Sequence, residues 1–477
     1  MGELKEKTIS GVKWSAIGRF STQGISFIIG LLLARVLSPS DYGVIGMVGI
    51  FFAIAQTFID SGFGSALIRK KDCSEADYNT AFYFNILVGL ISCVVLSLTA
   101  PFIARFFNTP ILEDIVIVMS FNMLINSFTI VQWAKLNSAI DFKSQAKINL
   151  ITTLLSGTIG LTLAYSGFGI WSLVFQNLAG TIIRAVLLFI TTRWYPKWQF
   201  SQQSFSYFFN FGSKILIASL LHTIYSNMIT MIIGKFYTAK DLGYYSRGES
   251  LAAFPSTNLT SILQSVTYPI LSKIQDDDQR LIKVYRKYIA ITSMVIFFSM
   301  CLLAALAKPL IVTLLTDKWL DSVIYLQIFC FSLMFDHICQ LNLNILYVKG
   351  RSDLVLRLEV VKKTISISMI IAAIPFGVLT ICIVRAIYTQ IAIVINTYYT
   401  GKLFGLGYIE QVKDFFIYII YSFCAVVPAF LLTFVEMNSI IVLVIGSCVS
   451  ILFYYFMLRK NPIFGDFFAL VKSSISR

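Results

Sequence analysis

The chain has little charge. Only 13% of its 477 residues are Asp, Glu, Lys or Arg, where a soluble domain carries about a quarter. With 57% hydrophobic residues and a mean hydropathy of +0.78, that deficit excludes a water-soluble globular protein. Histidine is nearly missing. His222 and His337 are the two in the chain, too few for a histidine-based metal centre. The eight cysteines show no Cys-x-x-Cys spacing and lie mostly inside apolar runs. They read as small core residues, not as disulfides or ligands. Long polar stretches are missing too. No extramembrane domain is large enough for soluble-type catalysis, so any site is expected between helices, without a cofactor. Residues 1–13 are of mixed charge, and the apolar segment after them is too long for a signal h-region, so no cleavable signal is expected.

What the sequence does have is apolar length. About fourteen segments reach the ~20 residues needed to cross a bilayer. They fall at 11–37, 42–68, 79–104, 111–133, 148–165, 168–192, 211–236, 242–271, 285–315, 320–348, 354–374, 376–400, 412–435 and 439–458. The expected architecture is all-α and polytopic. Basic residues gather in alternate short loops: Arg69, Lys70 and Lys71; Lys135, Lys143 and Lys147; Lys273 to Lys287; Lys349 and Arg351. The loops near 166 and 375 carry no Lys or Arg. The basic side faces the cytoplasm, so both termini are expected there. The net charge of +14 follows from this asymmetry, and no nucleic-acid partner is implied.

One stretch occurs twice. Ala34-Arg35-Val36-Leu37-Ser38-Pro39-Ser40-Asp41-Tyr42-Gly43 returns as Gly234-Lys235-Phe236-Tyr237-Thr238-Ala239-Lys240-Asp241-Leu242-Gly243. Ser38 with Asp41, and Thr238 with Asp241, have the spacing of a helix N-cap and its third residue, and Pro39 falls at the first helical position. Gly11-Val12-Lys13 is matched by Gly212-Ser213-Lys214, and Phe168-Gly169-Ile170 by Phe376-Gly377-Val378. Six segments separate each pair, so the halves share one orientation, as parallel repeats do. The expected division is an N-terminal lobe at 1–192, a cytoplasmic linker at 193–209, a C-terminal lobe at 210–401, and two extra helices with a tail at 402–477.

Polar residues inside a bilayer are costly, about 2.5–3.5 kcal/mol for a mid-helix Arg or Asp on insertion scales. Here they follow helical spacing on repeat-related segments: the first and seventh, second and eighth, fourth and tenth, sixth and twelfth. Candidate cargo-binding residues are Arg19, Gln23, Asn126, Asn177, Arg247, Asn258 and Arg385. The excess of arginine points to an anionic cargo, since guanidinium binds phosphate bidentately. Asp60, Glu249 and Asp336 are candidates for ion coupling. Blander roles stay open at this point. A Ser or Asn in a membrane helix often packs against a neighbour. Arg19 and Arg184 lie within reach of the cytoplasmic face, where they would snorkel. Pro255 should kink or break the eighth segment.

Arg35-Val36-Leu37-Ser38-Pro39-Ser40-Asp41-Tyr42-Gly43, followed by Asp60-Ser61-Gly62-Phe63-Gly64-Ser65-Ala66-Leu67-Ile68, resembles the bacterial polysaccharide exporters. These are the lipopolysaccharide and exopolysaccharide flippases of the multidrug/oligosaccharidyl-lipid/polysaccharide exporter superfamily; the colanic-acid and teichuronic-acid type is most similar. The resemblance covers nearly the whole chain. It implies transport of a polyprenyl-diphosphate-linked oligosaccharide across the bacterial cytoplasmic membrane by rocking lobes around a central cavity. It also implies work beside a polysaccharide polymerase and export machinery. Two other classes fit the sequence less well. A drug-cation antiporter of the same superfamily would favour an acidic cavity, and this one is net basic. A membrane glycan polymerase or ligase would carry a long external loop, and every external loop here is short.

Overall fold

In the computed structural model, residues 2–60, 62–70 and 72–465 are described, without side chains at 2–13, 15, 16 and 262–266. Gly11-Val12-Lys13, Ser15, Ser61, Lys71, Gln264 and Ser265 therefore lie outside what is described, in whole or in side chain.

The described residues form α-helices joined by short turns, with no strand among them. The helices are α1 (Gly2–Val36), α2 (Pro39–Asp60), α3 (Phe63–Arg69), α4 (Glu75–Phe106), α5 (Leu112–Ser127), α6 (Ile130–Ser138), α7 (Phe142–Tyr165), α8 (Trp171–Thr192) and α9 (Gln202–Phe236). They continue as α10 (Ala239–Lys273), α11 (Asp278–Ala305), α12 (Ala307–Leu314), α13 (Ser322–Leu333), α14 (Asp336–Val348), α15 (Ser352–Ala373), α16 (Val378–Phe404), α17 (Tyr408–Leu432) and α18 (Ser439–Leu458). Each apolar segment expected from the sequence is occupied by one helix or by two in succession. Among the described residues, eleven are long and apolar enough to cross a membrane, or twelve when the bent pair α5–α6 counts as one span. α10 and α15 are not among them. α10 is polar for much of its length, yet it runs unbroken through Pro255 and Pro269. Of the kink or break expected at Pro255, a break does not occur.

Breaks occur elsewhere. α5 and α6 meet at 41°, and α13 gives way to α14 at Met334–Phe335. Neither break holds a proline or glycine. In lipid a freed backbone group needs an internal partner. The Ser256 hydroxyl donates to the Leu333 carbonyl at 3.0 Å, and Ser127 and Thr129 hydroxyls donate to Leu124 and Asn126 carbonyls at 2.6 and 2.8 Å. α2 also stops, at Asp60. Gly62 then takes a left-handed φ of 74° before α3, and a Cβ there would lie 2.7 Å from the Gly212 Cα. Only glycine suits both demands.

The twin turns close as capping boxes. The Ser38 N–H donates to Asp41 Oδ2 at 2.8 Å, and the Asp41 N–H returns to Ser38 Oγ at 3.3 Å. In the second copy the same bonds join Thr238 and Asp241 at 3.1 Å each. α2 begins at Pro39 and α10 at Ala239, as the spacing predicts.

The chain divides into two compact units, Met1–Gly243 and Tyr244–Arg477. In the first, α1 packs on α7, α4 on α5, α7 on α8, and α2 on α9. The stretch at 193–201 is tied down there. The Trp194 indole donates to Glu75 at 3.0 Å, and the Lys197 and Ser201 N–H groups donate to Asn79 and Thr80 side chains at 2.8 and 2.9 Å. Phe63, Phe82, Trp194 and Phe208 form its aromatic core. In the second unit α11 packs on α17, α17 on α18, and α16 on α13 and α15.

Candidate functional site

The first unit holds a polar recess of about 680 Å3 between α2, α3, α5, α6 and α8. Its walls include Gln56, Asp60, Asn126, Thr129, Trp133, Asn137 and Arg184. Asn126, at the end of α5, and Thr129, at the α5–α6 break, both face it. The side chains form a directed chain. Asn126 Nδ2 donates to Gln56 Oε1 at 3.0 Å, and Gln56 Nε2 donates to Asp60 Oδ1 at 2.9 Å. An ionised carboxylate only accepts, so the chain ends with Asp60 facing the recess as an exposed acceptor. Arg184 is also exposed. Its guanidinium lies 5.8 Å from the Trp133 ring centroid and reaches Asn149 Oδ1 at 3.4 Å.

Arg19 and Gln23 line a different recess, of about 360 Å3, between α1 and α7, with Thr22, Gln145 and Asn149. Asn177 is exposed and turned onto its own helix, where Nδ2 donates to the Leu173 carbonyl at 2.9 Å.

In the second unit the charges meet. Arg385 Nη1 contacts Glu249 Oε1 at 2.5 Å and the Tyr245 hydroxyl at 2.8 Å, and its guanidinium sits 5.0 Å from the Phe329 centroid. Glu249 comes from α10 and Arg385 from α16, 136 positions apart. Asp336 begins α14 beside the second helix break. Next to it, Ser332 and Thr389 hydroxyls share a bond of 2.8 Å. Arg247 stands apart, its guanidinium 5.2 Å from the Trp319 centroid. Asn258 Nδ2 donates to the Phe254 carbonyl of its own helix at 2.6 Å. A pocket of about 330 Å3 between α11, α13 and α17 is almost wholly apolar, walled by Met300, Phe331, Met334, Phe423 and Phe430.

The candidate residues from the sequence thus fall into separate places. Asp60 and Asn126 come together in one recess, Arg19 and Gln23 in another, and Glu249 and Arg385 in one ion pair. Asn177 and Asn258 bond within their own helices. Helical spacing puts Gln56 on the face of Asp60, but sequence reasoning missed Asn137 and Trp133 as lining of the same recess. It left Arg184 to the membrane face, whereas the structure lines a recess with it. Asn126 and Asp336 in mid-segment were the available signs of the two breaks.

The arrangement offers hydrogen bonds and charge within membrane-length helices; among the described residues no group of His, Cys, Asp and Glu is placed to hold a metal.

Comparison with known proteins agrees. The lipopolysaccharide biosynthesis protein WzxC of Escherichia coli K12 is 23% identical over 77% of this chain and 75% of its own length. The teichuronic acid biosynthesis protein TuaB of Bacillus subtilis 168 is 24% identical over 74% of each. The solved structure of the lipid II flippase MurJ, in an inward closed conformation, covers 93% of this chain and 98% of its own. It does so with a TM-score of 0.77 at 17% identity, so the two share a fold. A family model described as polysaccharide biosynthesis protein matches residues 32–324. With more than half its length in that match, and with its many apolar helices, this chain is a multi-pass membrane protein of the polysaccharide biosynthesis protein family.

Proposed function

We propose that this protein is a flippase that carries a polyprenyl-diphosphate-linked oligosaccharide across the bacterial cytoplasmic membrane by alternating access. Fourteen spans, both termini in the cytoplasm, and two six-helix lobes at 1–192 and 210–401 are part of this reading. So are the linker at 193–209 and two further helices within 402–477. Arg19, Gln23, Asn126, Asn177, Arg247, Asn258 and Arg385 would contact the cargo. Asp60, Glu249 and Asp336 would respond to the coupling ion. A polymerase and export machinery would take the delivered unit.

The observation that carries the reading is the polar recess of about 680 Å3 inside a bundle of membrane-length helices. Such groups are costly in lipid and are retained where they line a path for polar cargo. The helix interruptions at 128–129 and 334–335 add support, because interrupted helices at matching places in two halves mark transporter binding sites.

The test is depletion of the protein in cells, followed by analysis of polyprenyl-linked glycans, their sidedness and the surface polymer. Build-up of one intact lipid-linked oligosaccharide on the cytoplasmic leaflet, with loss of one polymer outside, is expected. Unchanged lipid-linked glycans with altered sensitivity to toxic cations would overturn it in favour of a cation antiporter.

A further inference from the structure

The extended stretch 193–201 between α8 and α9 is held in one register by the groups it turns inward. The Trp194 indole donates to Glu75 Oε2 at 3.0 Å. The Lys135 ammonium lies 4.4 and 4.8 Å from the Tyr78 and Trp194 ring centroids. The Lys197 and Ser201 N–H groups donate to Asn79 and Thr80 at 2.8 and 2.9 Å. The stretch is thus fixed on the first turns of α4.

The same stretch turns other rings outward. Tyr195, Trp198 and Phe200 are exposed, Trp198 to 90%. Each rests on a ring of a membrane-length helix. Tyr195 lies on Phe189 of α8 at 6.2 Å between centroids, Trp198 on Tyr83 of α4 at 5.0 Å, and Phe200 on Phe205 of α9 at 5.9 Å. Tyr83 sets the depth. It follows the polar first turns of α4 and opens a row with Leu87, Leu90, Ile91 and Val94, which are exposed at helical spacing. A bilayer core takes about 20 helical residues, which carries the row from Tyr83 to near the end of α4 at Phe106. Trp198 therefore stands at headgroup level. Trp and Tyr rings gather there because they are apolar in body and polar at one edge.

Among these rings come two cations. Arg193 and Lys197 are both exposed, and neither enters an ion pair among the described residues. From 142 to 240 the sequence holds no Asp or Glu, so no carboxylate of the stretch or of α8 and α9 repels a lipid phosphate. Glu75 of α4 is taken up by Trp194 and by Lys135 at 3.7 Å. A guanidinium binds phosphate through its fork, and an ammonium binds it as a point charge. A soluble anion would engage the cations and leave the rings in water. An anionic phospholipid satisfies both.

We infer that the stretch 193–201 is a binding site for anionic phospholipid, with Arg193 and Lys197 on the headgroup phosphate and Tyr195, Trp198 and Phe200 seated among the headgroups and upper acyl chains. The site serves the surrounding membrane and is independent of the cargo.

The experiment is tryptophan quenching in the purified full-length protein, reconstituted into vesicles of phosphatidylcholine with phosphatidylglycerol. Bromine is carried high on the acyl chains of one lipid or the other, at an equal minor fraction. The Trp198 signal is the difference between the unaltered protein and Trp198→Phe. Brominated phosphatidylglycerol is expected to quench Trp198 as if enriched about fivefold over brominated phosphatidylcholine for each cation engaged, and added salt should reduce that excess. Arg193→Gln combined with Lys197→Gln should abolish the excess and leave the quenching by brominated phosphatidylcholine in place. Lys197→Gln alone, at an exposed position, should lower it and serves if the double variant does not fold. Equal quenching by the two lipids, an excess that neither variant changes, or a Trp198 signal that neither lipid quenches would overturn the inference.

Discussion

Gly43 and Gly243 hold equivalent places in two copies of one turn, and each lies against the backbone of the other copy. A Cβ on Gly43 would overlap the carbonyl oxygen of Ala239, and a Cβ on Gly243 would overlap that of Pro39. Pro39 and Ala239 are themselves equivalent, the first residues of α2 and α10. The contact between the two turns is reciprocal. Nearby, Lys235 Nζ donates to the Phe106 carbonyl at 2.5 Å and fixes the end of α9.

Gly43→Ala and Gly243→Ala should each destabilise the protein by about 1–3 kcal/mol, since overpacking forces backbone to move. The check is the unfolding midpoint of the purified variants. Gly24→Ala, inside α1 and with nothing within 4 Å of the added carbon, should instead raise it slightly, since alanine is favoured over glycine in a helix interior by about 0.5–1 kcal/mol.

Arg385 and Glu249 should behave as a unit. The pair is part-buried, its side chains 25% and 31% exposed, so removing one partner leaves an uncompensated charge at less than the ~3–5 kcal/mol of a fully buried pair, whereas removing both is often close to neutral. Arg385→Ala and Glu249→Gln should therefore each lower stability and export, and the double variant should recover stability. Export by the double variant separates two roles: recovery would make the pair structural, and continued loss would mean that the cargo needs Arg385.

Asn342, Thr400 and Gln411 form a buried knot. Gln411 Nε2 donates to Asn342 Oδ1 and to the Leu406 carbonyl at 2.9 Å each, and the Thr400 hydroxyl donates to Asn342 Oδ1 at 2.8 Å. Gln411→Leu strands these partners, at about 1–3 kcal/mol for a buried unsatisfied group. A lowered midpoint with unaltered cargo selectivity is expected in a transport assay that ranks several glycans.

Asp60→Asn keeps an oxygen for Gln56 but removes the charge. The protein should reach the membrane at its normal level while export loses its response to the ion gradient. Export that responds normally would take Asp60 out of the coupling role.

The Arg286–Asp414 pair should matter less. Its geometry is bidentate, with Nε 2.9 Å from Oδ2 and Nη2 2.7 Å from Oδ1, but the arginine side chain is 44% exposed. Exposed pairs are worth about 0.2–1 kcal/mol. Asp414→Asn should shift the midpoint by no more than that implies.

Helix positions were legible in the sequence because hydropathy, capping and turn chemistry act over a few residues. The bonds of Ser38 with Asp41 and of Thr238 with Asp241 close within three positions, so spacing alone identified them. The family motif at 60–68 was readable too. Its physical reason, a left-handed Gly62 pressed on Gly212, needed a partner 150 positions away.

The sequence by itself determined that this is an all-helical membrane protein with polar residues on particular helices. Apolar length and charge placement are properties of each segment. Only the tertiary structure decided which polar residues meet. It paired Arg385 with Glu249 and left Arg184 and Asp60 apart in one recess. It also broke helices at 128–129, 306 and 334–335, none of which holds a proline or glycine. Those outcomes depend on packing between distant segments, where a freed carbonyl such as Leu333 finds the hydroxyl of Ser256, and no local pattern encodes that meeting.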